Sequence, residues 1–382
     1  MNIDKARREA ARQILDTFQS HGVEIKKQAL QEKISHIKGT SLATFTKNIS
    51  KYVSINPKTQ SVPTSIEFFQ HQILLGAKSG EILVYNTENL QQTQHIDAAP
   101  QLRGPHSQRK HDFAKMKKRV NLPISLSHSG AVLDISAGLR TFISIGKDCI
   151  GNVRDANFNS LFTFCCDAQI SSVCASEENI VIADGVKIRV FAAKEGAELF
   201  TLFGPTEVIN SVRAVPRTNS VIAASEDGSL RYFSLIEQSQ LIYDAKSPLY
   251  DCGALNANLF VCCGPKGVFL FSNEKKNAIC QIETTGCYKI ACFEGISCFA
   301  VGGKGFIKLM QVIGDDIIEI DQFDVIGHVN GMSMEIVKDE LYLTACGGRE
   351  QPKDRLDVGN EKSFLALWKL GSVEIKKLGR FQ

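Results

Sequence analysis

The chain has 382 residues, 43% of them apolar and 22% charged, with 29 Gly and only 10 Pro. That composition excludes collagenous, coiled-coil and disordered classes and leaves room for a large core, while a formal net charge of +3 is too small as a total to point at a partner. No apolar run reaches the roughly 18 residues of a membrane helix, and residues 1–13 are charged throughout rather than built like a signal core, so no membrane contact is expected.

Residues 1–55 read as a basic helical extension. Ala6, Ala10, Ile14 and Phe18 recur at helical spacing, with Ala11 and Leu15 widening the stripe and Gly22 ending it. A second helix is expected over 26–37, and a third, capped by Ser41, would place Leu42, Phe45 and Ile49 on one face. Residues 1–51 hold ten Lys/Arg against five acids, a net of +5. Lys5, Arg7, Arg8 and Arg12 crowd the first helix and are candidate contacts for RNA or a protein partner.

From about residue 60 the helical period disappears. Short β-branched or aromatic runs alternate with Gly, Asp, Asn and Lys turns, and one pattern repeats: an apolar run into small residues, a tight polar turn, then an alternating apolar run. It begins at Ile73 to Tyr85 and recurs at Phe142 to Val153, Ile180 to Phe191, Val221 to Phe233, Phe260 to Phe271, Phe299 to Met310 and Tyr342 to Trp368. The four uninterrupted intervals between closing residues are 38, 42, 38 and 39 residues, close to the roughly 40 of a four-stranded propeller blade.

The expected architecture is therefore all-β: a seven-bladed β-propeller of WD-repeat type over 60–382, preceded by the α-helical extension. A pair of β-sandwiches is the runner-up, but it does not predict a steady period. Two long intervals are explained by a basic insertion at about 100–122 and a polar one at about 349–362. Small residues such as Ala223-Ala224 and Gly302-Gly303 allow inner strands to pack face to face, Asp227-Gly228 closes a hairpin, and the closing aromatics, Trp368 among them, fill the space between blades. An unpaired edge is a liability, so the ring is expected to close by pairing a strand near 65–69 with the last blade.

The basic insertion carries Arg103, Arg109, Lys110, Lys115, Lys117, Lys118 and Arg119 against Asp112 alone, a net of +6, which leaves about −8 for the remainder outside both basic segments. Basic appendages on an acidic body fit a scaffold that delivers a few phosphate contacts; solvated charge is the plain alternative.

No catalytic motif stands out. Gly302-Gly-Lys-Gly305 lacks the spacing of a phosphate loop and reads as a hairpin turn. Cys287, Cys292 and Cys298 are too widely spaced for a zinc knuckle, and the adjacent pairs Cys165-Cys166 and Cys262-Cys263 point to opposite faces of a strand. Neither a metal nor a cofactor is expected. The histidines, with His106 and His111 in the basic insertion and His128 and His328 near blade starts, read as loop or structural residues.

Several segments resemble, in order and spacing, the WD-repeat protein family specific to the U3 small nucleolar ribonucleoprotein. They include Thr201-Leu-Phe-Gly204, Ser225-Glu-Asp-Gly-Ser-Leu-Arg231 and Glu237-Gln-Ser-Gln-Leu241, preceded by Gly146-Lys-Asp-Cys149 and Leu161-Phe-Thr-Phe164. Gly327-His-Val-Asn330 and Thr344-Ala-Cys-Gly-Gly348 are similar to the family's closing region, where a Gly-Gln-Glu-His-Arg-Leu-Gly-Arg-Trp motif follows. The Lys5-Ala-Arg-Arg8 helix and the basic insertion also sit where that family places theirs, so the likeness covers nearly the whole chain. This chain departs from the closing motif: Arg349 stands where the family has Gln, Glu350 is kept, and Arg355-Leu356 and Trp368 are spread apart.

The resemblance implies a non-enzymatic nucleolar scaffold. It would bind U3 snoRNA next to a small RNA-binding core protein and other small-subunit precursor assembly proteins, supporting pre-rRNA processing, with Arg349 and Arg355 joining the basic insertion as RNA contacts. A protein-binding adaptor in another nuclear complex, its basic runs serving as import signals, is the alternative; a propeller enzyme is the third class and finds no residues to support it. The twelve cysteines read as thiols, so titration in denaturant should find about twelve free sulfhydryls and metal analysis no stoichiometric zinc.

Overall fold

The computed structural model describes residues 43–55, 57, 61–99, 126–138, 140–166, 170–176, 178–293, 297–338, 340–348 and 363–375. Every element in these residues is a β-strand, and the arrangement is propeller-like. The first strand, β1 (Ala43–Ile55), is followed by a four-stranded sheet of β2 (Pro63–Phe69), β3 (Gln72–Ala77), β4 (Ile82–Asn86) and β5 (Gln92–Ile96). The second sheet is β6 (Val132–Ala137), β7 (Thr141–Gly146), β8 (Ile150–Asp155) and β9 (Ser160–Cys165), and the third β10 (Ile170–Ala175), β11 (Asn179–Asp184), β12 (Lys187–Ala192) and β13 (Glu198–Phe203).

The next two groups are β14 (Ile209–Val215), β15 (Ser220–Ser225), β16 (Ser229–Ser234) and β17 (Gln240–Asp244), then β18 (Asp251–Ala254), β19 (Leu259–Gly264), β20 (Gly267–Ser272) and β21 (Lys275–Ile282). They join into eight strands only through one parallel pair, Asp244 with Asn277. The remaining strands, β22 (Cys287–Cys292), β23 (Cys298–Ile313), β24 (Asp316–Val337), β25 (Glu340–Gly348) and β26 (Ser363–Ile375), form a six-stranded sheet whose outer member is β1.

The repeats stand as hairpins. Ile73 pairs with Tyr85, Ile180 with Phe191, Val221 with Phe233 and Phe260 with Phe271, each the first and last residue of a predicted repeat. In the second repeat the register slips by one, Ile143 facing Val153, and in the last Leu343 faces Trp368 across the polar insertion. The stretch Phe299 to Met310 lies within β23, which turns back on itself: the Val312 amide donates to the Ser297 carbonyl at 2.7 Å, and Gly305 takes a φ of 87° at the bend. Between hairpins the apolar side chains form separate cores; adjacent Cys262 and Cys263 enter two different ones, as alternation along a strand requires. Trp368 is buried and stacks on Phe323 at 5.2 Å.

Two expectations are corrected. Residues 43–55 are strand, not helix: β1 runs antiparallel to β26 from Ala43 opposite Ile375 to Ile55 opposite Leu365. The helical spacing of Leu42, Phe45 and Ile49 is overridden because this segment supplies the outer strand that the last sheet lacks. Ring closure follows from the same pairing. The segment near 65–69 belongs to β2, the inner strand of its own sheet, and β1 pairs with the last strand instead. The two other predicted helices, within 1–42, lie outside the described residues.

The inner strands β2, β6, β10, β14, β18 and β22, with the second half of β24, line one central polar cavity of about 250 Å³. Arg213 spans part of it, 3.2 Å from Asp134 and 3.7 Å from Asp251. Glu67 faces the cavity and accepts from the Phe68 amide at 3.0 Å and from the Ser333 hydroxyl. Burial pushes its carboxyl up from 4.5 to about 7, against the lowering effect of those hydrogen bonds and of Arg213. The folded chain thus holds this proton more tightly than the unfolded one. Its stabilisation is complete below about pH 4.5 and is lost as pH rises through about 7. Glu67→Gln should flatten that fall in a denaturant series across this window; an unchanged slope would show that Glu67 ionises like an exposed carboxyl.

Candidate nucleic-acid interface

The described hairpin turns, and the connections entering the inner strands, are tied together on one face. Lys78 N donates to Val62 O at 3.0 Å, Lys147 N to Ala131 O at 2.8 Å, Ile209 N to Gly185 O at 2.9 Å and Leu249 N to Ser225 O at 3.1 Å. Farther round, Gly264 abuts Pro248, Gly303 abuts Gly286 and Gly347 abuts His328.

Both insertions leave from this face. The neck of the basic insertion is closed by two hydrogen bonds, Ala99 N to His128 O at 3.0 Å and Ser127 N to Asp97 O at 2.8 Å. His128 N also donates to Gly80 O at 3.1 Å. The Arg154 guanidinium donates to Leu126 O at 2.6 Å from beneath, and the Asn152 amide to Ser127 O at 3.3 Å. At the polar insertion, Gly348 and Ser363 face each other as the last pair of β25 and β26.

His128 is the pin of the first neck. Fully buried, it meets Asp148 through Nδ1 at 3.1 Å and Ser144 Oγ through Nε2 at 2.9 Å. Burial alone would raise the Asp148 carboxyl, but His128 and the amides of Ser129 and Ile150 hold it below the ordinary range. Two glycines permit the fit. A Cβ on Gly80, where φ is 99°, would overlap the His128 carbonyl, and one on Gly146 would overlap the imidazole and Asp148.

The exposed turns on either side of this neck carry Lys78 and Lys147, and neither makes an ion pair among the described residues. The predicted contacts Arg103, Arg109, Lys110, Lys115, Lys117, Lys118, Arg119, Arg349 and Arg355, like Lys5, Arg7, Arg8 and Arg12, all lie outside the described residues. What the fold shows is the two necks, at Ala99 with His128 and at Gly348 with Ser363, between which the basic and the polar insertions lie. Phe203, Val186 and Val208 are exposed, as are Glu207 and Glu226 in the same stretch, an apolar and acidic sector.

Among the described residues no three His, Cys, Asp or Glu converge as metal ligands. Burial pushes the Cys174, Cys252 and Cys298 thiols up to about 12, so none supplies a thiolate near neutral pH.

No family model and no curated protein matches the sequence. Among solved structures, the chain is similar to U3-55K at a TM-score of 0.69 and 16% identity, over 85% of this chain and 100% of that one. It is equally similar to the RRP9 WD40 repeats, at 0.69 and 16%, over 86% and 100%. The shared fold is that of a WD40 propeller. At this identity the likeness speaks for fold alone, and 1604 solved chains match it.

Sequence reasoning placed His128 near a blade start but missed its partners, because Asp148 and Ser144 become neighbours only once the hairpin of β7 and β8 forms. Gly146→Ala should destabilise the chain by about 1–3 kcal/mol by displacing His128, whereas Gly130→Ala, whose new Cβ would meet only ordinary contacts, should stay within about 0.5 kcal/mol. Chemical denaturation of the two variants checks this.

Proposed function

We propose that the chain is a seven-bladed WD-repeat propeller acting as a non-enzymatic RNA–protein scaffold of the U3 small nucleolar ribonucleoprotein. Its partners would be U3 snoRNA, a small RNA-binding core protein and other small-subunit precursor assembly factors, in the nucleolus. The count of seven rests on the folding back of β23 and on the continuity of β24: β22, the two halves of β23 and the first half of β24 make a sixth blade, and the second half of β24 with β25, β26 and β1 a seventh.

The observation that carries the RNA reading is the placement of the two necks. The segments bearing Arg103 to Arg119 and Arg349 to Arg355 leave the fold on one face, the first between Lys78 and Lys147. A basic insertion, net +6 over 103–119, on an otherwise acidic body suits a polyanion at its neck and proteins elsewhere. Phe203 with Glu207 and Glu226 offers such a place for a basic protein. The likeness to U3-55K and RRP9 is in keeping with this assignment.

A protein-only adaptor whose basic runs direct nuclear import is the competing reading. Changing Lys115, Lys117, Lys118 and Arg119 together to Ala separates the two. On the RNA reading, affinity falls strongly at moderate salt and the slope of log affinity against log salt shrinks by up to about 0.7–0.9 per lost contact. Unchanged affinity and slope, with reduced nuclear accumulation, would favour the adaptor.

A further inference from the structure

The first residues of the inner strands repeat one device. β2, β6, β10, β14, β22 and the second half of β24 each carry a bulge there, leaving one side chain out of the ladder and turned toward the neighbouring sheet. In four sheets that side chain clamps the next sheet by a hydrogen bond to its backbone. Thr64 donates to Val132 O at 2.5 Å, Asn210 to Leu249 O at 2.9 Å and Asn330 to Pro63 O at 2.8 Å, and Ser171 donates to Ile209 O.

In β22 the bulged residue is Tyr288, and Tyr250 holds the corresponding place before β18. Neither makes the clamp. Tyr250 stacks on Tyr288 with ring centroids 5.7 Å apart, and Tyr288 leans on His328 at 5.8 Å, so a row of three rings runs from the start of β18 across β22 to β24. Tyr288 is 37% exposed. Cations accompany the row: Lys304, exposed in its turn, pairs directly with His328 across the ladder, and Lys289 follows Tyr288 into the cavity lining. Neither lysine makes an ion pair among the described residues. The row ends at His328, which abuts the neck of the polar insertion through Gly347.

Four sheets make this junction with small polar side chains and β6 with Leu133, which packs against a core, whereas Tyr288 stands exposed. An exposed ring, Tyr288, backed by two half-buried ones, Tyr250 and His328, with unpaired cations alongside, offers a face for a base and charge for its phosphates. We propose that Tyr250, Tyr288 and His328, with Lys304 and Lys289 beside them, form a stacking platform for single-stranded RNA at the rim of the central cavity. The platform rests on the RNA-scaffold reading and assigns it a second, unpaired-strand contact distinct from the basic insertion.

Fluorescence anisotropy of the full chain with a 12-nucleotide oligouridine and with an RNA hairpin of matched length tests this. Tyr288→Ala should weaken oligouridine about 5- to 100-fold while leaving hairpin affinity within about twofold, and Tyr288→Phe should bind like the native chain. Tyr288→Leu preserves bulk without a π-face and should fail like alanine. Lys304→Ala should reduce the salt slope by about 0.7, which the tyrosine variants should not. Native oligouridine affinity in Tyr288→Ala, an equal loss for the hairpin, or full binding by Tyr288→Leu would each overturn the platform. If the insertion variant loses RNA while Tyr288→Ala does not, the platform falls and the scaffold reading stands. A native chain that binds neither RNA overturns both.

Discussion

Everything in this fold hangs on how each inner strand is fastened to the next sheet. Backbone ladders hold strands within a sheet, and apart from a few backbone bonds at the turns, such as Ile209 N to Gly185 O, the inner strands are joined to the next sheet by side chains. Asp134 accepts from Val173 N at 3.1 Å and Ser172 Oγ at 2.8 Å, Asp251 accepts from Ile290 N at 3.0 Å, and Ser172 in turn accepts from Val212 N at 3.2 Å. Arg213, donating to Ser172 at 2.9 Å and lying beside both carboxylates, offsets their charge. Buried carboxylates are costly unless their lone pairs are filled, and here backbone amides of the adjoining sheet fill them, so a potential liability becomes the joint.

This arrangement explains why the cavity reads as architecture more than as an active site. Its carboxylates, hydroxyls and guanidinium are largely spent on one another. What remains open to partners is the face of turns and connections, where glycine bends and short loops put lysines outside the ladders. Loops held on a rigid ring are the usual seat of recognition, because residues can change there without disturbing the strands.

The hairpins were legible in the sequence because their strands are short continuous apolar runs that end in tight turns; the pairings of Ile73 with Tyr85 and Phe260 with Phe271 follow from that pattern. The inner strands were far less legible. Segments such as Val132–Ala137 mix apolar and polar residues, since their polar groups serve the lateral joints and carry no periodic signal. β1 was misread for a different reason: its identity as a strand is set by a partner more than 300 residues away, which no local spacing encodes. Of the candidate interface, the charge of the insertions was visible in advance, whereas the bulge that presents Tyr288 depends on register and was not.

The pairing of β1 with β26 also bears on how the chain comes off the ribosome. Ile55 is made long before Leu365, its partner. At about 5–20 residues per second, the intervening roughly 300 residues occupy the ribosome for about 15–60 s. Throughout that interval a 13-residue segment lacks the partner that makes it a strand while the intervening hairpins are synthesised. Nascent-chain helpers that shield strand edges would therefore act on this protein at its first strand, and the ring can become a single cooperative unit only when its last strand has emerged.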